Sequence, residues 1–219
     1  MLANSLINTT YPAVHLTDKV AFVLQLMDDY DVLQLPVVEN QQLVGMVTKA
    51  DLLDEEEHHP VASLQHKLLN AAVQYNQYVL QILKLQTQHV LQLVPVINEQ
   101  KALLGCIHVQ EILNQLHVLV GANEPGAIIV LEMDKRQYSF GEITKLVETN
   151  DAYLTQLNTY TEASTGLLLV VLKINKLEVS DVIATFQRYD YVIRFFIGEE
   201  SYANELRSNY DALMNYLNM

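Results

Sequence analysis

Apolar and polar positions follow the same succession of periods twice along the first 120 or so residues, a self-similarity that takes precedence over any single element. Val20, Val23, Leu24 and Met27 recur at helical spacing, with Thr17 placed to cap that helix. An apolar strand follows at 32–38, a polar turn at 39–42, a second strand at 43–47, and then a helix with an apolar stripe. The second copy opens with a short strand at 71–73. Val79, Ile82, Leu83 and Gln86 continue one helix face, strands follow at 90–97 and 103–107 around a polar turn at 98–101, and a helix closes the copy. Pro36 aligns with Pro95 and Gly45 with Gly105, with one extra residue in the second turn. The repeating unit is β-α-β-β-α. At about sixty residues it buries too little surface alone, so the two copies are expected to pack as a pair.

After residue 122 the pattern changes. Strands are predicted at 126–133, 153–160, 166–174 and 191–198, with one helix opening at 139–142 and another at 179–189. Ser139-Phe-Gly-Glu142 reads as a capping box, and Ile143, Leu146 and Val147 share the face behind it. The order βαββαβ is the ferredoxin-like plan. A last helix is expected at 201–219, where Tyr202, Leu206, Leu213 and Leu217 form a stripe that needs either its own sheet or a second subunit to cover it. The expected domains are therefore 1–59 and 60–122 for the two repeats, 123–200 for the ferredoxin-like domain, and 201–219 for the C-terminal helix. The fold class is α/β and α+β.

Composition narrows the functions. Half of the 219 residues are hydrophobic, enough for real cores. Thirteen basic against 26 acidic residues leave a net charge of −13, which makes nucleic acid and anionic membrane surfaces poor partners. The single cysteine, Cys106, excludes a disulfide within the chain. The first residues show no basic n-region before a long apolar stretch, and the longest apolar runs, 127–131 and 166–172, are far short of the ~18 residues of a membrane helix. A cytoplasmic protein is the expectation.

The repeat, carried by the Pro-Val-Val and Pro-Val-Ile strands and by the segment Gly45-Met-Val-Thr-Lys-Ala-Asp51, resembles a tandem pair of CBS domains, or Bateman module, over roughly residues 1–120. Such pairs commonly bind adenine nucleotides or adenosyl compounds in clefts between the copies, and they regulate rather than catalyse. The resemblance assigns phosphate contacts to Thr48 and nearby amides, ribose hydroxyls to Asp51, and close backbone approach to Gly45. Lys49, inside the motif, is the best candidate for a phosphate contact, with an exposed helix lysine as the alternative reading. A purely local reading also fits, because Thr48-Lys-Ala-Asp51 is a helix-capping sequence. The second copy departs from the pattern, with His108 and Glu111 at the equivalent positions. His108 reads as a helix-terminus residue, while Glu111 keeps enough reach for a ribose.

No arginine precedes Arg136, and the paired repeats carry five lysines (Lys19, Lys49, Lys67, Lys84 and Lys101) against twelve carboxylates. Without a guanidinium fork, a di- or triphosphate meets a repulsive field, so AMP or an adenosyl compound is favoured over ATP. The domain that follows resembles an ACT domain, and the whole order resembles acetoin-utilisation-type CBS–ACT regulators. Its first loop reads Asp134-Lys-Arg-Gln-Tyr-Ser and lacks the Pro-Gly pair often found there; Arg136 reads either as a grip for a carboxylate or, more simply, as a solvated loop arginine.

Between the copies, Asp54-Glu-Glu-Glu-His-His-Pro60 puts carboxylates beside two histidines. Adjacent histidines do not share a helix face, so the stretch reads as a solvated linker and no metal centre is expected. No nucleophile elbow, His-Glu-x-x-His or P-loop occurs, and Cys106 sits on a strand expected to be buried, so no catalytic residue is assigned. The expectation is a non-enzymatic small-molecule sensor with no required cofactor. It is expected to be a homodimer with a protein target that the sequence does not name. The alternative is an interaction scaffold whose ligand sites have decayed.

Overall fold

The duplicated pattern folds as two copies of one supersecondary unit. The structure, a computed structural model, describes residues 1–198, so the helix expected at 201–219 lies outside the described residues. The first copy runs β1 (Val14–His15), α1 (Val20–Asp29), β2 (Gln34–Glu39), β3 (Gln42–Thr48) and the short α2 (Lys49–Leu53). The second runs β4 (Val73–Gln74), α3 (Val79–His89), β5 (Leu93–Ile97), β6 (Leu103–His108) and α4 (Val109–Leu119). Each copy forms a three-stranded sheet whose first pair is parallel and second pair antiparallel.

The registers correspond position by position. Val14 faces Val37 as Val73 faces Val96, and Pro36 faces Met46 as Pro95 faces Cys106. Both ladders slip at the same place, after Val37 and after Val96. The first hairpin turns through Asn40 and Gln41, both at positive φ, as a two-residue hairpin loop requires. In the second, the extra residue is absorbed by Asn98, whose Oδ1 accepts from the N–H groups of Gln100 (3.0 Å) and Ala102 (2.9 Å).

Thr17 does not cap α1. The N-cap is Lys19, with no side-chain hydrogen bond. The first helical amides are satisfied from the linker instead, Val20 N–H donating to the His59 carbonyl and Ala21 N–H to that of Glu57, each at 3.0 Å. Backbone from residues 57–59 thus replaces a local cap, because orphan amides need an acceptor but not a neighbouring one in sequence.

The segment leading into each copy closes the core of the other. The core around Val23, Met27, Leu35 and Met46 also contains Val61 and Leu64, whereas the core around Ile82, Val94 and Ile107 contains Ala3 and Leu6. Met46 and Leu69 exchange both backbone hydrogen bonds at 2.9 Å, and Asn8 and Cys106 do the same at 2.8 and 3.0 Å. Gly45 and Gly105 permit these crossings. A Cβ on Gly45 would stand 2.9 Å from Leu68 Cβ; one on Gly105, whose φ is +142°, would stand 2.6 Å from Ile7 Cγ2 and 2.8 Å from the Asn8 carbonyl.

The chain divides into units Met1–Leu119 and Val120–Met219. The second unit contains β7 (Ile128–Met133), α5 (Phe140–Glu148), β8 (Leu154–Thr161), β9 (Leu168–Ile174), α6 (Ser180–Arg188) and β10 (Val192–Ile197). Its sheet has the order β10-β7-β9-β8 and is antiparallel throughout, which is the ferredoxin-like arrangement. Ser139 Oγ accepts from Glu142 N–H at 3.3 Å, giving α5 its expected start. Ile143, Val147, Val182 and Phe186 from the two helices pack on Ile129, Leu131, Val170 and Leu172.

Candidate functional site

The motif at the end of β3 folds as a reciprocal cap. Thr48 stands in extended backbone as the N-cap of α2, and its Oγ1 accepts from Asp51 N–H at 3.1 Å. The same hydroxyl donates to Asp51 Oδ2 at 2.5 Å. Asp51 Oδ1 is left facing Lys67 Nζ at 4.0 Å. Lys67 belongs to the segment that crosses in ahead of the second copy. Lys49 is turned elsewhere and pairs with Asp28 at the end of α1. Gly45 does allow a close backbone approach, but the backbone that approaches is residues 68–69. Lys67 was missed by sequence reasoning because it reaches Asp51 only through the exchange of lead-in segments, which no local spacing reveals.

The second copy presents different chemistry at the equivalent place. His108 Nδ1 accepts from Gln110 N–H at 3.1 Å, so the imidazole takes the role of a helix-terminus acceptor. Tyr11 lies against its ring, with centroids 6.0 Å apart and planes 13° apart. Tyr11 also meets Tyr30 at 6.4 Å. It occupies an enlarged lead-in, since six positions separate the bridge residue Asn8 from Val14 whereas four separate Leu69 from Val73. Glu111 is exposed in the first turn of α4.

Three other places bear on chemistry. Cys106 is buried on β6, and burial alone pushes its thiol up to about 12, which removes the thiolate at neutral pH. In the second unit, the loop 134–138 is held by Asp134, whose Oδ1 accepts from Arg136 N–H at 2.8 Å. A cavity of about 270 Å³ beside it is lined by Glu132, Glu142, Asp190, Tyr189 and Tyr191, a carboxylate-rich wall that disfavours an anionic ligand. In the linker, Glu55 Oε1 lies 2.7 Å from His59 Nδ1, and Glu56 Oε2 lies 3.3 Å from His58 Nε2 and 3.5 Å from His59 Nε2. The Glu55–His59 hydrogen bond lowers the carboxyl and raises the imidazole from their ordinary values. The segment is a run of turns rather than helix, so the spacing rule for helix faces does not apply to it.

Two similar βαββα copies with exchanged lead-in segments define a paired-repeat module with a cap motif at each crossing. Residues 3–58 match the CBS domain family, and the two copies together share the fold of a CBS domain pair. A CBS domain pair/ACT domain protein from Thermotoga maritima is 22% identical, over 55% of this chain and 99% of its own, with a TM-score of 0.51. The CBS domains of a transcriptional regulator from Streptococcus pneumoniae are 19% identical over 52% and 98%, with a TM-score of 0.47. A protein assigned to acetoin utilization (AcuB) in Vibrio cholerae is 16% identical over 57% and 96%, with a TM-score of 0.47. Comparison with curated proteins finds no match. No helix among the described residues is long and apolar enough to cross a membrane.

Proposed function

We propose that this protein is a non-catalytic, cytoplasmic regulator, acting as a homodimer, that binds an adenine nucleotide or adenosyl compound at the Thr48–Asp51 motif of its CBS pair. The observation that carries the reading is the position of that motif at a chain crossing. Asp51 Oδ1 pairs with Lys67 Nζ at 4.0 Å, so a ribose hydroxyl has an acceptor and a phosphate has a cation beside it. The Thr48 hydroxyl that donates to Asp51 Oδ2 is able to turn toward a phosphate oxygen. A ligand seated there touches residues of the first repeat and the lead-in of the second, and so biases how the two repeats pack. The ferredoxin-like domain, read as ACT-like, relays that change to a protein target.

Charge selects the ligand. Of the two lysines nearest the motif, Lys49 is already neutralised by Asp28, and no arginine occurs in this unit. One cation suffices for a monophosphate and leaves a triphosphate repelled. A second reading, that of a scaffold without ligand, is favoured by one observation: Tyr11 packs on His108 where the second site would lie. Titration calorimetry of the full chain with AMP and with ATP separates the readings. AMP is expected to bind more tightly than ATP by about tenfold or more, the equivalent of ~1.4 kcal/mol. Tighter binding of ATP contradicts the charge argument, and no heat from either at millimolar concentration favours the scaffold.

A further inference from the structure

We infer that the linker between the two CBS repeats holds a divalent transition-metal ion of the zinc class, ligated by Glu56, His58 and His59. The three donor atoms lie within 4.8 Å of one another. Two of the separations are short: Glu56 Oε2 is 3.3 Å from His58 Nε2 and 3.5 Å from His59 Nε2. Donors ~2.0–2.1 Å from a tetrahedral ion stand about 3.3–3.4 Å apart, so these atoms are already near the edge lengths of a coordination tetrahedron. Two imidazoles and one carboxylate suit zinc and its neighbours rather than magnesium or calcium, which prefer all-oxygen shells.

The orientation of His59 is a second, separate observation. Glu55 Oε1 lies 2.7 Å from Nδ1, a contact that holds the ring with Nε2 turned toward Glu56. Glu55 is thus a positioning residue, outside the ligand set but fixing the ring orientation that the set requires. The backbone is also held, since the carbonyls of Glu57 and His59 accept from the first amides of α1, and His59 N–H donates to the Glu56 carbonyl at 3.0 Å. The site is exposed on Glu56 and His58, which gives an ion free entry and leaves the fourth position to water.

The test is a titration of the metal-stripped full chain with ZnCl2 by calorimetry, paralleled by CoCl2 with visible absorption recorded. One equivalent of Zn2+ is expected, together with the intense visible bands of four-coordinate cobalt. His58→Ala and His59→Ala should each weaken binding by at least about tenfold, and Glu55→Gln should weaken it about 10–100-fold as an orienting residue outside the ligand set. The exposed His66→Ala and His89→Ala should leave it unchanged. Circular dichroism shows whether each variant keeps its fold, and MgCl2 in excess should not displace the ion. Zinc uptake unaffected by the His58→Ala/His59→Ala double variant overturns the assignment. So does an absence of one-to-one uptake, which would leave a proton as the occupant between His59 and Glu56.

Discussion

Thr48 and Asp51 bond each other through both side-chain and backbone groups, so the pair performs structural work whether or not a ligand is present. That part of the site was legible in the sequence, because a cap is a local pattern of a hydroxyl followed three residues later by a carboxylate. The role of His108 at a helix start was legible for the same reason. The partners of these groups were not. Lys67 reaches Asp51, and Tyr11 reaches His108, from segments that local spacing does not connect to them. Lys49 is drawn to Asp28, 21 residues earlier, because α1 ends beside the start of α2. At this scale Cys106 offers a direct check. Its thiol is pushed up to about 12 by burial, so it should resist iodoacetamide in the native protein at pH 8 and react once the chain is unfolded. Rapid labelling of the folded protein would show that β6 opens.

Elements reveal what the repeat concealed. Both strand pairs and both flanking helices follow from alternation and helical spacing, and they occur within a few residues of their expected bounds. The exchange of lead-in segments was invisible, because apolar residues such as Leu6 and Leu64 read as core without saying whose core. The glycines carry that missing information. Gly105 sits at φ +142° against Ile7 and Asn8, so Gly105→Ala meets strain and a clash together, each of the order of 1–3 kcal/mol. A clear fall in the denaturation midpoint is expected, with the slope unchanged; an unaltered midpoint would mean that the crossing relaxes freely. In the second unit, Arg194 on β10 pairs with Glu162 beyond β8 at 2.7 Å. The Thr165 hydroxyl, then Arg194, holds the Glu162 carboxyl below its ordinary value. A lowered carboxyl stabilises the fold above its unfolded value, near 4.5, and loses that contribution as pH falls through the lower folded value. Stability measured from pH 5 to pH 3 should therefore fall less steeply in Glu162→Gln. The exposure of the pair keeps the difference small, and an identical slope would assign no role to this carboxylate.

The whole molecule combines two paired βαββα repeats, each with its own core, and a ferredoxin-like unit with a third. The order of elements in both units was readable from periodicity, since long-range topology here follows from short connections and repeated units. Function is less readable at this scale, because one fold hosts many functions. A sensing role therefore rests on one motif, and one measurement tests it most directly: AMP affinity of the full chain compared between Asp51→Ala and Glu111→Ala. The account predicts that Asp51→Ala loses at least about tenfold in affinity, with the fold retained by circular dichroism, whereas Glu111→Ala changes it little. Affinity kept in Asp51→Ala and lost in Glu111→Ala would place the ligand at the second repeat and contradict the account.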